Sequence, residues 1–196
     1  MSTTTTTAPA QDALQLYRIL SVLLEYPNRE LVRHRDEVFG AIHALELDGA
    51  DRQDFDAFEQ WVQSQSETDW QEHYVRTFDL SPDNALYLTH HLFEEQDRER
   101  GLTLVTLSQY FKAEGYEVAP GELPDYLPLI LEYVSTLQDD RIARSFISQS
   151  AQALAVVADN LDAIDDPYAA LLRIIRRRAE AQPPAGQGGG SERAAA

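Results

Sequence analysis

The chain has 196 residues, enough for one domain with a full core, and 43% of them are hydrophobic against 25% charged, a globular composition. There is no cysteine, which excludes disulfides, thiolate metal ligands and cysteine nucleophiles. The net charge is −17, from 33 acidic and 16 basic residues, with Lys112 the single lysine. A field of that sign repels phosphate backbones and anionic lipid, so nucleic acid is not an expected partner, whereas basic peptides are attracted. Its first meaning is solubility.

Ser2–Pro9 carries no lysine or arginine, and the apolar stretch after it is broken by Arg18 and Glu25. It reads neither as a signal segment nor as a spanning helix, so a cytoplasmic protein without membrane insertion is expected. Residues 1–10 and the Gly/Pro-rich residues 182–196 read as disordered tails around one helical domain over 11–181.

The first predicted helix is Gln11–Tyr26, stopped by Pro27. Its polar positions Gln15, Arg18, Ser21 and Glu25 form one narrow stripe, which makes it central to a bundle. Asn28 caps a second helix through Leu31, Val38, Ile42 and Leu45. A third runs from about Asp51 to Gln65, burying Phe55, Phe58, Trp61 and Val62. A fourth starts near Thr68 and carries Trp70, Tyr74 and Phe78, before a break at Ser81-Pro82-Asp83-Asn84. Apolar periodicity resumes at Leu86, passes Gly101 and ends at Gly115. A helix through Leu131 to Leu137 follows, then one from about Arg141 to Leu161. The last starts at Asp166-Pro167 and ends in Arg176-Arg177-Arg178. No stretch alternates with period two, so the fold class is all-α, a single bundle of about seven to nine helices.

Enzyme signatures are missing: there is no phosphate loop, nucleophile elbow or zinc-protease helix. No catalytic residue is assigned. On a helix His90 would face Glu94 and His91 would face Glu95, two ligand pairs pointing in different directions. Ordinary hydrogen-bonded histidines are therefore preferred to a metal site, and no metal and no cofactor is expected. The run Glu94 to Arg100 reads as a solvated helix face, with the rim of a groove as the second reading. Arg173, Arg176, Arg177 and Arg178 fit the negative end of their helix better than they fit nucleic acid.

The most informative stretch is Glu122-Leu123-Pro124-Asp125-Tyr126-Leu127-Pro128. With Asp125 as cap, Pro128 falls in the first turn of a helix, where its missing amide costs nothing. This is either a well-made helix start or one wall of a peptide groove, and local physics does not choose between them.

At these residues the chain resembles a known family. Leu86-Tyr87-Leu88-Thr89, then Arg98-Glu99-Arg100-Gly101, then Glu122–Pro128 with Leu131-Glu132-Tyr133, are similar to the motif series of the NarJ family. These are assembly chaperones of respiratory nitrate reductase, also called its delta subunit, within a wider group holding the TorD and DmsD chaperones. Relatives often have a glycine ahead of the Arg-x-Arg-Gly segment, whereas Phe93–Asp97 has none.

The resemblance implies an all-helical, cofactor-free protein that binds the immature catalytic (alpha) subunit of nitrate reductase through its N-terminal peptide until the molybdenum cofactor is inserted. It assigns peptide binding to His90, His91, Asp97, Arg98, Arg100, Pro124, Asp125, Tyr126, Pro128, Glu132 and Tyr133. Tyr126 and Tyr133 are seven apart and are expected on one face, with Asp125 and Glu132 beside them. A monomer or weak dimer is expected. The alternatives are a chaperone of a dimethyl sulfoxide or trimethylamine oxide reductase, a metal-dependent hydrolase using His90 and His91, and a helical regulatory adaptor.

Overall fold

The computed structural model describes residues 8–94 and 97–181. Among these are nine α-helices and no strand. They are α1 (Ala8–Leu23), α2 (Arg29–His43), α3 (Gly49–Ser64), α4 (Glu67–Tyr74), α5 (Arg98–Ala113), α6 (Leu127–Ser135), α7 (Asp140–Ser148), α8 (Ala151–Ala163) and α9 (Ala169–Glu180). The expected tails lie outside the described residues, apart from Ala8–Ala10, which begin α1.

Helix α1 is central, as its narrow polar stripe requires. Leu16, Tyr17, Leu20, Leu23 and Leu24 are fully buried, and α1 packs along α6. Gln15, Arg18 and Glu25 of the stripe face outward. Ser21 does not: it is buried and donates a hydrogen bond to the Pro128 carbonyl at 2.8 Å. Arg18 pairs with Glu132 along the same seam. The second central helix is α9, which packs on α3, α7 and α8.

Side chains set several boundaries. Asn28 accepts from the amides of Glu30 and Leu31 and starts α2. Asp48 and Ser66 do the same for α3 and α4. Beyond α4 the chain widens into a π-turn over Val75–Asp79, which turns Thr77 and Phe78 inward.

Three expectations need correction. The helix expected from Arg141 to Leu161 is two helices, α7 and α8. Ser148 Oγ and Gln149 Nε2 both turn back to the Ser145 carbonyl, and the Gln149 amide bonds Phe146 instead, so the ladder stops. The expected start at Asp166-Pro167 is a separate turn, and α9 proper begins at Ala169. The arginines of α9 are held less by the helix end than by named carboxylates. Arg177 Nε and Nη2 reach Asp51 and Asp54 at 2.8 and 2.7 Å, and Arg178 reaches Asp51 at 2.6 Å. Arg173 bonds Asp54, and Arg176 bonds Asp159 and Glu180.

Asp166 ties the π-turn to α9. Its carboxylate accepts from His73 Nε2, Thr77 Oγ1 and the Tyr168 amide, at 3.0, 2.8 and 2.9 Å. Burial works to raise its pKa, but these hydrogen bonds outweigh burial and hold it below the ordinary value. A depressed folded pKa stabilises above the unfolded value of about 3.9, and the contribution is lost as pH falls through the lower folded value. Asp166→Asn is therefore expected to flatten the acid limb of stability below about pH 4, measured as denaturation midpoint against pH. An unchanged slope below that pH would show that the hydrogen bonds do not discriminate the ionised form.

Candidate functional site

The three sequence blocks meet at one place. The Leu88–His91 segment is a tight 3-10 turn rather than the start of a long helix. An isolated antiparallel bridge joins Tyr87 to Tyr126. The Leu127 amide donates to the Leu86 carbonyl at 2.8 Å, and the Leu88 amide to the Asp125 carbonyl at 3.1 Å. The Tyr87 and Tyr126 rings lie 5.2 Å apart.

Asp125 is turned inward and is not the cap of α6, which is a correction; Tyr126 is the capping position and makes no side-chain cap bond. Pro128 does fall in the first turn. The reason is a stronger pair of donors nearby. Asp125 Oδ2 accepts from the Thr89 amide at 2.9 Å and from Thr89 Oγ1 at 2.6 Å. Thr89 Oγ1 in turn accepts from Arg100 Nε at 3.1 Å. One residue from each block thus forms a chain: Arg100 of α5, Thr89 of the turn, Asp125 before α6.

The chain does turn ahead of α5. Asp97 has extended backbone, and its carboxylate accepts from the Glu99 amide at 2.8 Å. A capping carboxylate starts the helix without a glycine. The continuous helix that would pair His90 with Glu94 is therefore absent, a second correction. Glu95 lies outside the described residues. His90 is exposed, and its ring stands nearly perpendicular to that of His91. His91 Nε2 donates to the Ala85 carbonyl at 2.7 Å, and burial lowers its pKa, so it braces the turn as a neutral ring.

Between the turn and α5 lies a groove of about 560 Å³. Leu88, Ile130 and Phe146 line it from the body, Leu92 from the chain leading to α5, and Leu102, Leu107 and Tyr110 from α5. Thr103 and Thr106 also line it, but their hydroxyls are spent on Glu99 and Leu102 of their own helix. Helix α5 is the least covered in the fold. Phe111 is its one buried residue, while Leu102 and Val105 are 49% and 54% exposed. A helix with apolar residues on most sides is ordinarily covered, so this one presents a binding surface.

Of the residues expected at the site, Asp125 alone borders this groove. Arg100 and Asp97 fix the start of α5, and Arg98 is exposed at its first position. Pro124 and Pro128 are buried and set the approach to α6. Tyr126 and Tyr133 do not share a face, because Tyr126 precedes the helix. Tyr126 meets Tyr74 at 3.2 Å between hydroxyls, whereas Tyr133 lies buried among Tyr110, Phe111, Tyr116 and Phe146 and donates to the Tyr110 hydroxyl. Glu132 points outward to Arg18. The apolar lining was missed. Its signal was the missing polar face in Leu102-Thr103-Leu104-Val105-Thr106-Leu107.

Among the described residues, the group of histidine and carboxylate side chains close enough to share an ion is His43, Asp56 and Glu59, at the α2–α3 junction. Neither His90 nor His91 belongs to it. No helix among the described residues is long and apolar enough to cross a membrane.

Comparison with known proteins places these features in a family. The family described as nitrate reductase delta subunit matches residues 45–173, which include all three converging blocks. The nitrate reductase molybdenum cofactor assembly chaperone NarJ of Escherichia coli strain K12 is 32% identical over 162 residues, 82% of this chain and 68% of the relative. The probable chaperone of the same name from Bacillus subtilis strain 168 is 36% identical over 104 residues, 53% of this chain and 55% of the relative. The probable assembly chaperone NarW of Escherichia coli strain K12 is 30% identical over 158 residues, 81% of this chain and 65% of the relative. On this extent of match, and with its all-helical fold, the chain belongs to the nitrate reductase delta subunit family.

Proposed function

We propose that the chain is a cytoplasmic, non-enzymatic assembly chaperone of respiratory nitrate reductase. In this reading it holds the immature catalytic subunit by its N-terminal segment while the molybdenum cofactor is inserted, and the segment lies in the α5 groove as an amphipathic helix. The observation that carries the reading is the convergence of the three family-like blocks around one groove, its leucines, Ile130 and Phe146 interspersed with Glu99, Gln149 and Ser150, beneath a sparsely covered helix. Arg100, Asp97, His91, Pro124, Tyr126, Pro128 and Tyr133 act as its frame; His90 and Arg98 are exposed, and Glu132 pairs with Arg18 of α1. The acidic surface favours a segment with a basic start. Names of relatives favour nitrate reductase over another molybdoenzyme as the client. The hydrolase reading has no support in the arrangement of His90 and His91.

The test is calorimetry with the N-terminal peptide of the cell's own nitrate reductase catalytic subunit. Wild type is expected to bind. Leu102→Glu is expected to bind at least about tenfold more weakly, because it puts a charge on an apolar contact. Leu102 is half exposed, so the melting temperature should hold. No binding by wild type, or equal binding by a folded Leu102→Glu, would place the client elsewhere.

A further inference from the structure

The last turn of α2 and the middle of α3 bring three ligand-type side chains to one point at the surface, His43, Asp56 and Glu59. One imidazole nitrogen and two carboxylate oxygens lie within 4.8 Å of one another. Asp56 and Glu59 are three apart on α3 and so share a face. His43 Nε2 stands 2.8 Å from Glu59 Oε2, close to the spacing of roughly 3–3.5 Å between two ligands of one zinc ion. A hydrogen bond accounts for that pair. It does not account for Asp56, whose carboxylate faces the same point although Glu59 carries like charge.

The surroundings hold these ligands without neutralising them. Gln63 Nε2 donates to the other oxygen of Glu59 at 2.9 Å, which orients that carboxylate. Arg52 lies on the same helix, but its guanidinium is turned to the carbonyls of Ile42 and Leu45, at 3.3 and 2.8 Å. It meets His43 at Nδ1, 3.4 Å away and on the other edge of the ring from Nε2. An ion on Nε2 places the ring proton on Nδ1 and gives up that long contact, while both carbonyl bonds of Arg52 remain.

We propose that His43 Nε2, Asp56 and Glu59 form a binding site for a divalent transition-metal ion, zinc fitting best, that ties the end of α2 to α3. The ligand set chooses the ion. Magnesium and calcium prefer shells made wholly of oxygen, and ions that seek thiolate find no cysteine. Two carboxylates offset the charge of the ion, and with three protein ligands a tetrahedral zinc keeps its fourth position for water. One turn back along α2, Phe39 packs on Phe58 with ring centroids 6.4 Å apart, so the ion adds a second fastening to that interface. None of the three residues lines the α5 groove, and the site stands apart from it.

The test uses the full chain, stripped with a chelator and titrated by calorimetry with zinc chloride, then with magnesium and calcium chloride. Wild type should take one zinc ion per chain and neither of the other ions at the same concentrations. His43→Gln, Asp56→Asn and Glu59→Gln should each weaken zinc binding at least about tenfold, since even an outer partner of a metal ligand is worth that much. Without zinc their melting temperatures should stay near that of wild type, because His43 and Asp56 are exposed and Glu59 keeps its shape as glutamine. His34→Gln, which breaks the exposed pair with Glu37 on the same helix, should bind zinc as wild type does. Zinc should also raise the melting temperature of wild type and the hydrogen-exchange protection of residues 36–43, and do neither in His43→Gln. No zinc binding by wild type, equal binding by His43→Gln, or an equal loss in His34→Gln would overturn the proposal. So would calcium binding as tight as zinc, which would mark a diffuse acidic surface.

Discussion

Asp51→Ala should lower the stability of the chain by about 3 kcal/mol, seen as a fall in the denaturant midpoint at unchanged slope. The side chain of Asp51 is 1% exposed, and both its oxygens are used, one by Arg177 and one by Arg178. Removing it leaves two guanidinium groups at the α3–α9 interface. Arg178 is the more enclosed of the two, and Arg177 keeps its bond to Asp54. Partial exposure of the arginines puts the loss at the low end of what breaking a buried pair costs. The decisive comparison is the triple change of Asp51→Leu with Arg177→Met and Arg178→Met. If stranded charge is the cause, the triple variant recovers most of the stability that Asp51→Ala loses. If both variants lose the same amount, the damage is packing at Asp51 and not charge.

The arginine network also shows where reading the sequence stops. Periodicity and caps placed α1 to α4, α6 and α9 near their true positions, because apolar spacing and capping residues act within a few residues of each other. Asn28, Pro27 and the break at Ser81–Asn84 are of that kind. The interior partners of Arg177 lie more than a hundred residues earlier, so the run looked like an ordinary helix end. Asp125 failed in the same way. A carboxylate just before a helix is a cap by local rules, and it takes Thr89 only because the bridge between Tyr87 and Tyr126 brings that turn within reach. The motif blocks marked the place of the groove but not its lining. Polar, glycine and proline residues stand out in a sequence because they set backbone geometry, whereas groove-lining leucines look like core until packing shows what is missing above them.

The second large effect concerns what holds α5 in place. Phe111 is 1% exposed and packs on Tyr133 and Phe146, with ring centroids 4.9 and 6.4 Å away. At the other end of the helix, Arg100 holds Thr89. Between these two points α5 stands over the groove with Leu102 and Val105 about half exposed, and Leu107 and Tyr110 reach the body only in part. Phe111→Ala should therefore cost about 3–4 kcal/mol, the transfer loss of a buried ring plus an incompletely closed cavity. The loss should not be even across the fold. The amides of residues 100–113 should lose hydrogen-exchange protection well before those of α1 and α9, because α5 has no other buried side chain to hold it. Peptide binding should fall further than in Leu102→Glu, since one wall of the groove is then unfixed rather than merely altered. Phe111→Leu fills most of the cavity and should restore the protection of α5 along with most of the stability. If α5 keeps its protection in Phe111→Ala while the whole chain loses stability uniformly, the helix is fastened by more than Phe111 and Arg100, and the groove is a rigid cleft whose width no single contact sets.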